Sequence, residues 1–456
     1  MSAADLARLG EFVSTVTVDR LPPGLLPTAK ACLLYGLAVG VATTAVPEAA
    51  GVCAALDAGA AGPGPATRLL DGRPASPADA ALANGVLLSG RVQGDSHPAG
   101  HLGGVVIPAA LAVAQLRGLS GADLLAALVV GYEAGLRIGR DHSAALSARG
   151  FRTTPAYGVL AAVAAAARGT GLDPEQAASA LGLAANLAAG LREYVNAGTT
   201  ESPFQAGFAA RSGITAALLA GAGARAAATA LHGPAGFFTA YGGPDSDHGA
   251  RLCDGLGEVF EFPSVTYKPY PACQFLRGMI RGLAELREQV GSCPARAVEV
   301  RLNPFEADFV GVRYAGPFIS SAQTVMSAPF CAALTWTSGT ASYAGLRQFT
   351  EPAVLDLVPR VTVTGDPALE RYQTDLRVDL ADGRVLTRRD RGDAGAYRLT
   401  WDAAVEATAL LCAEAGGSAA RRDDLIAAVS AVDQAPDTSA VLSMVRALIA
   451  EAGRRD

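Results

Sequence analysis

Residues 95–101 read Asp-Ser-His-Pro-Ala-Gly-His, so a carboxylate, a hydroxyl and two imidazoles fall within seven positions of a chain that holds only five histidines. Three readings fit such a set: a metal site, a proton-transfer site, or a polar turn before a buried helix, in which Asp95 and Ser96 make turn or capping hydrogen bonds and His97 and His101 are incidental. A metal site wants ligands on a rigid spacing and a further ligand elsewhere. This stretch instead crosses a Pro and Gly turn, and the chain has no His-Glu-x-x-His run and no paired cysteines. No metal is therefore expected. Proton transfer explains more of the set, because an imidazole titrates near neutrality and a nearby carboxylate both orients it and raises its basicity. On this reading His101 is the principal proton carrier, Asp95 its supporting partner, and His97 a further candidate.

A second chemical feature is VTYKPYPACQF at 265–275. The chain has 37 basic residues, of which only Lys30 and Lys268 are lysines. Where arginine is the habitual cation, an ammonium group offers what arginine lacks: a compact charge whose pKa burial can lower. The plainer readings are a chance lysine or a structural ion pair. Tyr270 is the alternative proton carrier in this stretch, and Cys273 lies five positions past Lys268, although a buried thiol is the commoner role for such a residue.

The elements that must position these groups change in texture along the chain. Up to about residue 262, Ala/Leu/Val segments with helical spacing are punctuated by Gly and Pro, as in GADLLAALVVGYEAGLRIG and TPAYGVLAAVAAAARGTG. LDPEQAASALGLA starts a helix, with Asp173 as cap, Pro174 in the first turn and Glu175 at the positive end of the dipole. Small residues throughout let helices approach closely. From about 294 the pattern alternates, in RAVEVRLNP, PRVTVTGD and a hairpin around Asp382-Gly383, with helical stretches near 276–288 and 321–335. From 401 onward the pattern is helical again. This predicts a mainly α chain in which an α+β segment interrupts a large helical body. No fixed repeat period and no nucleotide-binding glycine loop is found.

The bulk numbers limit what such a protein does. At 456 residues two domains are the default expectation. Half of the residues are hydrophobic, 18% are charged and the mean hydropathy is +0.26, so much helix surface must be buried, as in a soluble oligomer. A net charge of −6 without a Lys/Arg-rich segment argues against a nucleic-acid partner. Seven cysteines without a repeated spacing suggest neither zinc nor a disulfide framework, which fits a cytoplasmic, reducing compartment. The N-terminus does not read as a signal peptide, and the alanine-rich runs are broken by Gly and Arg before a membrane-spanning length, so no membrane insertion is expected.

GDSHPAGHLGGVVIPAALAVAQLRG, then RGFRTTPAYGVLAAVAAAARGTGLDPEQAASALGLAANLAAGL, then AGFAARSGITAALLAGAGA and finally YKPYPACQ together resemble the MmgE/PrpD family, in order and over nearly the whole chain. That family includes 2-methylcitrate dehydratase, cis-aconitate decarboxylase and an iminodisuccinate epimerase. The resemblance implies a helical body of residues 1–267 and 401–456, an α+β lid of 268–400, a homodimer, and a site that works without metal or organic cofactor. It also implies roles for His101, for Lys268 in the K-P-Y-P element, and for Ser96, which stands where threonine is usual.

Several positions depart from the family pattern. Gly94 precedes Asp95 where a doubled acid is common, Arg152 replaces a histidine, Ser202 a lysine, and Gln205 a second histidine. Arg152 cannot serve as a base at ordinary pH but can clamp a carboxylate, and Ser202 offers only a hydroxyl. An acidic substrate would then be bound by Arg152 and Arg192 with Lys268, aided by Ser96, His97, Ser202, Gln205, Tyr270 and Cys273, while proton transfer contracts onto His101 and Asp95, with His97 as a further candidate and Lys268 as the third catalytic residue. Three functions follow: a cofactor-independent lyase of a small carboxylic acid, dehydration being its first form; an isomerase, epimerase or cyclase of specialised metabolism using the same enolate chemistry; and an inactive relative kept for binding or scaffolding.

Overall fold

The computed structural model describes residues 3–60, 62–244, 248–291, 293–392 and 394–453, and among these the chain is mainly α, with twenty-one α-helices and small sheets. Two compact units are formed. The first gathers the described residues of Met1–Leu191, Glu201–Val265 and Leu399–Asp456, and the second those of Arg192–Thr200 and Thr266–Arg398.

In the first unit the long helix Thr153–Thr170 packs against both Gly121–Arg140 and Glu201–Gly221, which also carries Pro77–Ser89 on its flank. Small residues make these approaches possible. A methyl group added at Gly85 would lie 2.7 Å from the Cα of Gly207, and one at Gly213 would lie 2.5 Å from the Ala162 side chain. The cap read at Asp173 is present in full. Its carboxylate accepts the Gln176 N–H (2.9 Å), and the Gln176 side chain accepts the Asp173 N–H (3.2 Å) ahead of Pro174–Ala185.

The helix Leu25–Ala42 is long and apolar enough to cross a membrane by length and composition, a feature not expected from the alanine-rich runs. Two thirds of it is buried within the protein, and it packs along Trp401–Glu414, which makes it a core helix.

The second unit is built on a four-stranded sheet in the order Val361–Gly365, Ala295–Leu302, Thr374–Leu380, Val385–Asp390. Its first pair is parallel and the other two are antiparallel, with Val300 opposite both Val363 and Leu376. The hairpin turns at Asp382-Gly383 as its sequence requires: Gly383 adopts φ +87° and the Asp382 carboxylate accepts the Arg384 N–H at 3.0 Å. Helix Arg277–Glu288 lies on this sheet. The helical stretch expected at 321–335 is two helices, Ser321–Thr324 and Ala328–Ser338, because Ser327 caps the second by accepting the Phe330 N–H (3.0 Å) and Pro329 sits in its first turn. Arg192–Thr200, expected in the helical body, groups with this unit. The Arg192 guanidinium stacks 4.4 Å from the Phe309 ring centroid, and Gly198 sits against Gln323 and Ser320.

Candidate functional site

The candidate residues fall into two groups, one in each unit, and the first is built around the 95–101 turn. His97 and Gly100 exchange main-chain hydrogen bonds of 3.0 and 2.8 Å, which folds the segment tightly. Gly100 has φ +122°, and a methyl group there would lie 2.9 Å from the backbone of Thr154, so glycine lets the turn dock on the start of helix Thr153–Thr170. The next residue gains from this docking, since the His101 N–H donates to Thr154 Oγ1 at 3.1 Å.

The His101 ring is oriented by Asp95, through its main chain. His101 Nδ1 lies 2.7 Å from the Asp95 carbonyl oxygen. A carbonyl only accepts, so Nδ1 carries the proton and the lone pair of the neutral ring is on Nε2. The Asp95 carboxylate, expected to orient the ring, instead caps a helix. Both of its oxygens accept the Gly103 N–H, at 3.0 and 2.9 Å, at the start of helix Gly103–Arg117. The carboxylate is buried and sits where the helix dipole favours an anion. Gly103 has no room for a side chain, because a methyl group would meet the Tyr132 hydroxyl at 2.6 Å and the Asp95 carboxylate at 3.0 Å. Tyr132 and Cys32 are also buried, and burial, reinforced by the Asp95 charge, holds both the phenol and the thiol protonated.

The two residues that follow Asp95 in the motif are enclosed. Ser96 is buried, and so is His97, whose Nδ1 accepts the Ala99 N–H at 3.0 Å. Burial lowers the His97 pKa to about 4, with Arg140 acting the same way and Glu261 opposing. His97 is therefore a neutral turn residue at physiological pH, which removes it as a proton carrier near neutrality.

Arg152, Ser202 and Gln205, three of the positions that depart from the family pattern, are neighbours. Arg152 Nη1 donates to the Ser202 carbonyl (2.6 Å) and to Gln205 Oε1 (3.2 Å), and Gln205 Nε2 donates to the Leu191 carbonyl at 2.9 Å. The Arg152 N–H bonds the Gly190 carbonyl (2.9 Å), which sets Arg152 at the head of Thr153–Thr170. Through Thr154 this arginine shares its helix start with the His101 turn. The arginine cluster and the histidine turn are thus positioned by one helix terminus, and Thr154 was missed because GFRTT is informative at Arg152 and neutral at its threonines.

The second group, in the other unit, comprises Arg192, Lys268, Tyr270 and Cys273. Lys268 is 1% exposed. Burial raises the Cys273 thiol to about 11 against the opposing charges of Lys268 and Arg277, so it is a protonated, buried thiol at neutral pH. The half-buried Tyr270 phenol is raised by burial, and burial lowers the Arg192 guanidinium. Among the described residues no group of three or more His, Cys, Asp or Glu side chains lies together so as to hold a metal ion.

A profile of the MmgE/PrpD N-terminal domain matches residues 7–248. The chain belongs to the MmgE/PrpD family. Among MmgE/PrpD relatives, cis-aconitate decarboxylase-like protein oryM of Aspergillus oryzae is 34% identical over 47% of this chain and 46% of its own length, so the match spans about half of that relative. Cis-aconitate decarboxylase of Aspergillus terreus is 26% identical over 84% of this chain and 83% of its own. The mouse enzyme of that name is 27% identical over 71% and 68%.

Proposed function

We propose that this MmgE/PrpD protein is a lyase that acts on a small polycarboxylic acid, with cis-aconitate as the first candidate substrate and His101 Nε2 as the proton carrier. The family and the names of its relatives support the lyase class. The observation that carries the residue assignment is the 2.7 Å contact of His101 Nδ1 with the Asp95 carbonyl. Because Nδ1 donates in both the neutral and the protonated ring, this contact survives either charge state, and Nε2 can take up or release a proton without the imidazole having to turn.

Both lyase reactions use that property. In dehydration the neutral ring removes a proton next to a carboxylate, the C–H pair becomes the new double bond, and the departing hydroxide takes a proton from solvent to leave as water. In decarboxylation of an allylic acid, the C–CO2 pair forms a new double bond while the old π pair takes a proton from the imidazolium. Arg152 would hold a substrate carboxylate, and Lys268 and Arg192 are the further cations proposed to bind an acidic substrate. Freedom from metal and organic cofactor, a lid role for the second unit and a homodimeric assembly belong to the same proposal; light scattering reads the last of these.

The test is incubation of the purified chain with cis-aconitate, citrate and 2-methylcitrate in D2O, following CO2 release, water loss and deuterium uptake by NMR. Release of CO2 or water that His101→Gln abolishes supports the reading. Deuterium exchange without either product would replace it with an isomerase. Binding without any exchange would leave a binding protein.

A further inference from the structure

The loop 268–273 carries Lys268, Tyr270 and Cys273, and it is poorly equipped to hold itself in place. Pro269 and Pro271 have no N–H to donate, which removes two main-chain donors from it. One anchor is the Cys273 N–H on the Val325 carbonyl at 2.8 Å. A second is Arg277. Its Nη1 donates to the Tyr267 carbonyl (2.8 Å) and to Thr266 Oγ1 (3.2 Å) on one side of the loop, and its Nε to the Gln274 carbonyl (3.0 Å) on the other.

Arg277 sits in surroundings unusual for a cation. It is 2% exposed, yet it makes no ion pair among the described residues, and it stands in the first turn of helix Arg277–Glu288, where the dipole disfavours a cation. Its charge is instead covered by two aromatic faces, the Tyr397 ring at 4.4 Å and the Tyr372 ring at 5.3 Å. Tyr372 itself holds an uncommon conformation, φ +69°, for a bulky side chain. The fully buried Glu306 stabilises it by accepting the Tyr372 N–H and the Arg371 Nε–H, both at 2.9 Å. A buried acid, a strained tyrosine and a guanidinium without an ion-pair partner among the described residues thus converge on one result, a loop closed at both ends.

Building on the reading of Lys268 as a site residue, we propose that Arg277 is a positioning residue, a buried staple that holds the Lys268 loop closed with Tyr372 and Tyr397 as its aromatic clamp. A lysine could not replace it, since only the planar fork reaches both ends of the loop at once.

The chain contains only Lys30 and Lys268, so lysine labelled with 13C at Cε gives two signals, and Lys30→Arg assigns them. In Arg277→Gln the Lys268 signal should move toward that of a solvated lysine, and acylation of its amine by a water-soluble active ester should accelerate at least about tenfold, the effect of a loop-opening equilibrium eased by roughly 1.4 kcal/mol. Tyr397→Leu, which keeps the fork and removes one face, should shift both readouts the same way by less. If Arg277→Gln does not fold, Tyr397→Leu and Tyr372→Leu carry the test. A folded variant whose Lys268 signal and acylation rate equal those of the wild type overturns the staple. Neither readout needs turnover, so failure to consume cis-aconitate would sink the functional reading alone; where turnover is seen, Arg277→Gln should lower kcat/KM by about tenfold to a hundredfold.

Discussion

Asp95→Asn separates two ways in which an acid can serve a catalytic histidine. If the carboxylate were the charge partner of the His101 ring, neutralising it would lower the imidazole pKa by about one unit or more. The structure gives the ring contact to the main-chain carbonyl (2.7 Å) and the carboxylate to the Gly103 N–H (3.0 and 2.9 Å). An asparagine keeps the carbonyl and one side-chain acceptor for that N–H, and loses the charge at the helix N-terminus and beside Tyr132, for a cost of about 1 kcal/mol. Asp95→Ala removes the cap and leaves a buried donor unsatisfied, which raises the cost to about 2–3 kcal/mol and lets the carbonyl drift. The expected outcome for Asp95→Asn is an acid limb of kcat/KM moved by less than about half a unit and a loss of activity within roughly tenfold, with Asp95→Ala clearly worse in both stability and rate. Urea unfolding and pH–rate profiles of the two variants provide the measurement. A full-unit shift in Asp95→Asn at unchanged stability would refute the capping argument and restore the carboxylate as a direct electrostatic partner.

His101→Gln should lower kcat/KM by roughly a hundredfold or more with the fold intact; near-normal activity across pH would return His101 to a turn residue and move attention to Lys268 or Tyr270. Arg152→Ala should raise KM for an acidic ligand by about tenfold and destabilise by about 1–3 kcal/mol, because its Nη1 also satisfies the Ser202 carbonyl and Gln205; an unchanged KM with a much lower kcat would show that the arginine acts in the chemical step. Burial lowers His97 and His142 to about 4, His142 also being repelled by His248, so both rings fold in the neutral form. Their contribution is fully present above the unfolded value near 6.5 and is lost as pH falls toward 4, up to about 3 kcal/mol per ring. Urea midpoints at about pH 7.5, 5.5 and 4.5 should fall in that order and fall less in His142→Phe; a flat series would contradict the buried neutral rings.

What the sequence determined by itself was the material and its local rules. Apolar periodicity set the helices, Asp173 with Gln176 and Pro174 fixed a helix start, Asp382-Gly383 fixed a hairpin, and the ordered motifs from GDSHPAGH to YKPYPACQ carried the family. These are short-range matters, decided by which residue can cap, turn or pack within a few positions. Tertiary structure decided which atom of a residue faces which partner. No spacing rule tells that Asp95 meets His101 through its carbonyl while its carboxylate caps Gly103, because both bonds depend on the turn docking against Thr154. Burial, which made His97 and Cys273 poor proton carriers, is set by the elements that cover them. Arg152, Ser202 and Gln205 were legible only as separate departures, and their union in one hydrogen-bonded group joins positions about fifty residues apart. Arg277 gave no signal at all, since a guanidinium that closes a loop on main-chain carbonyls is recognised only once the chain has folded back to present them.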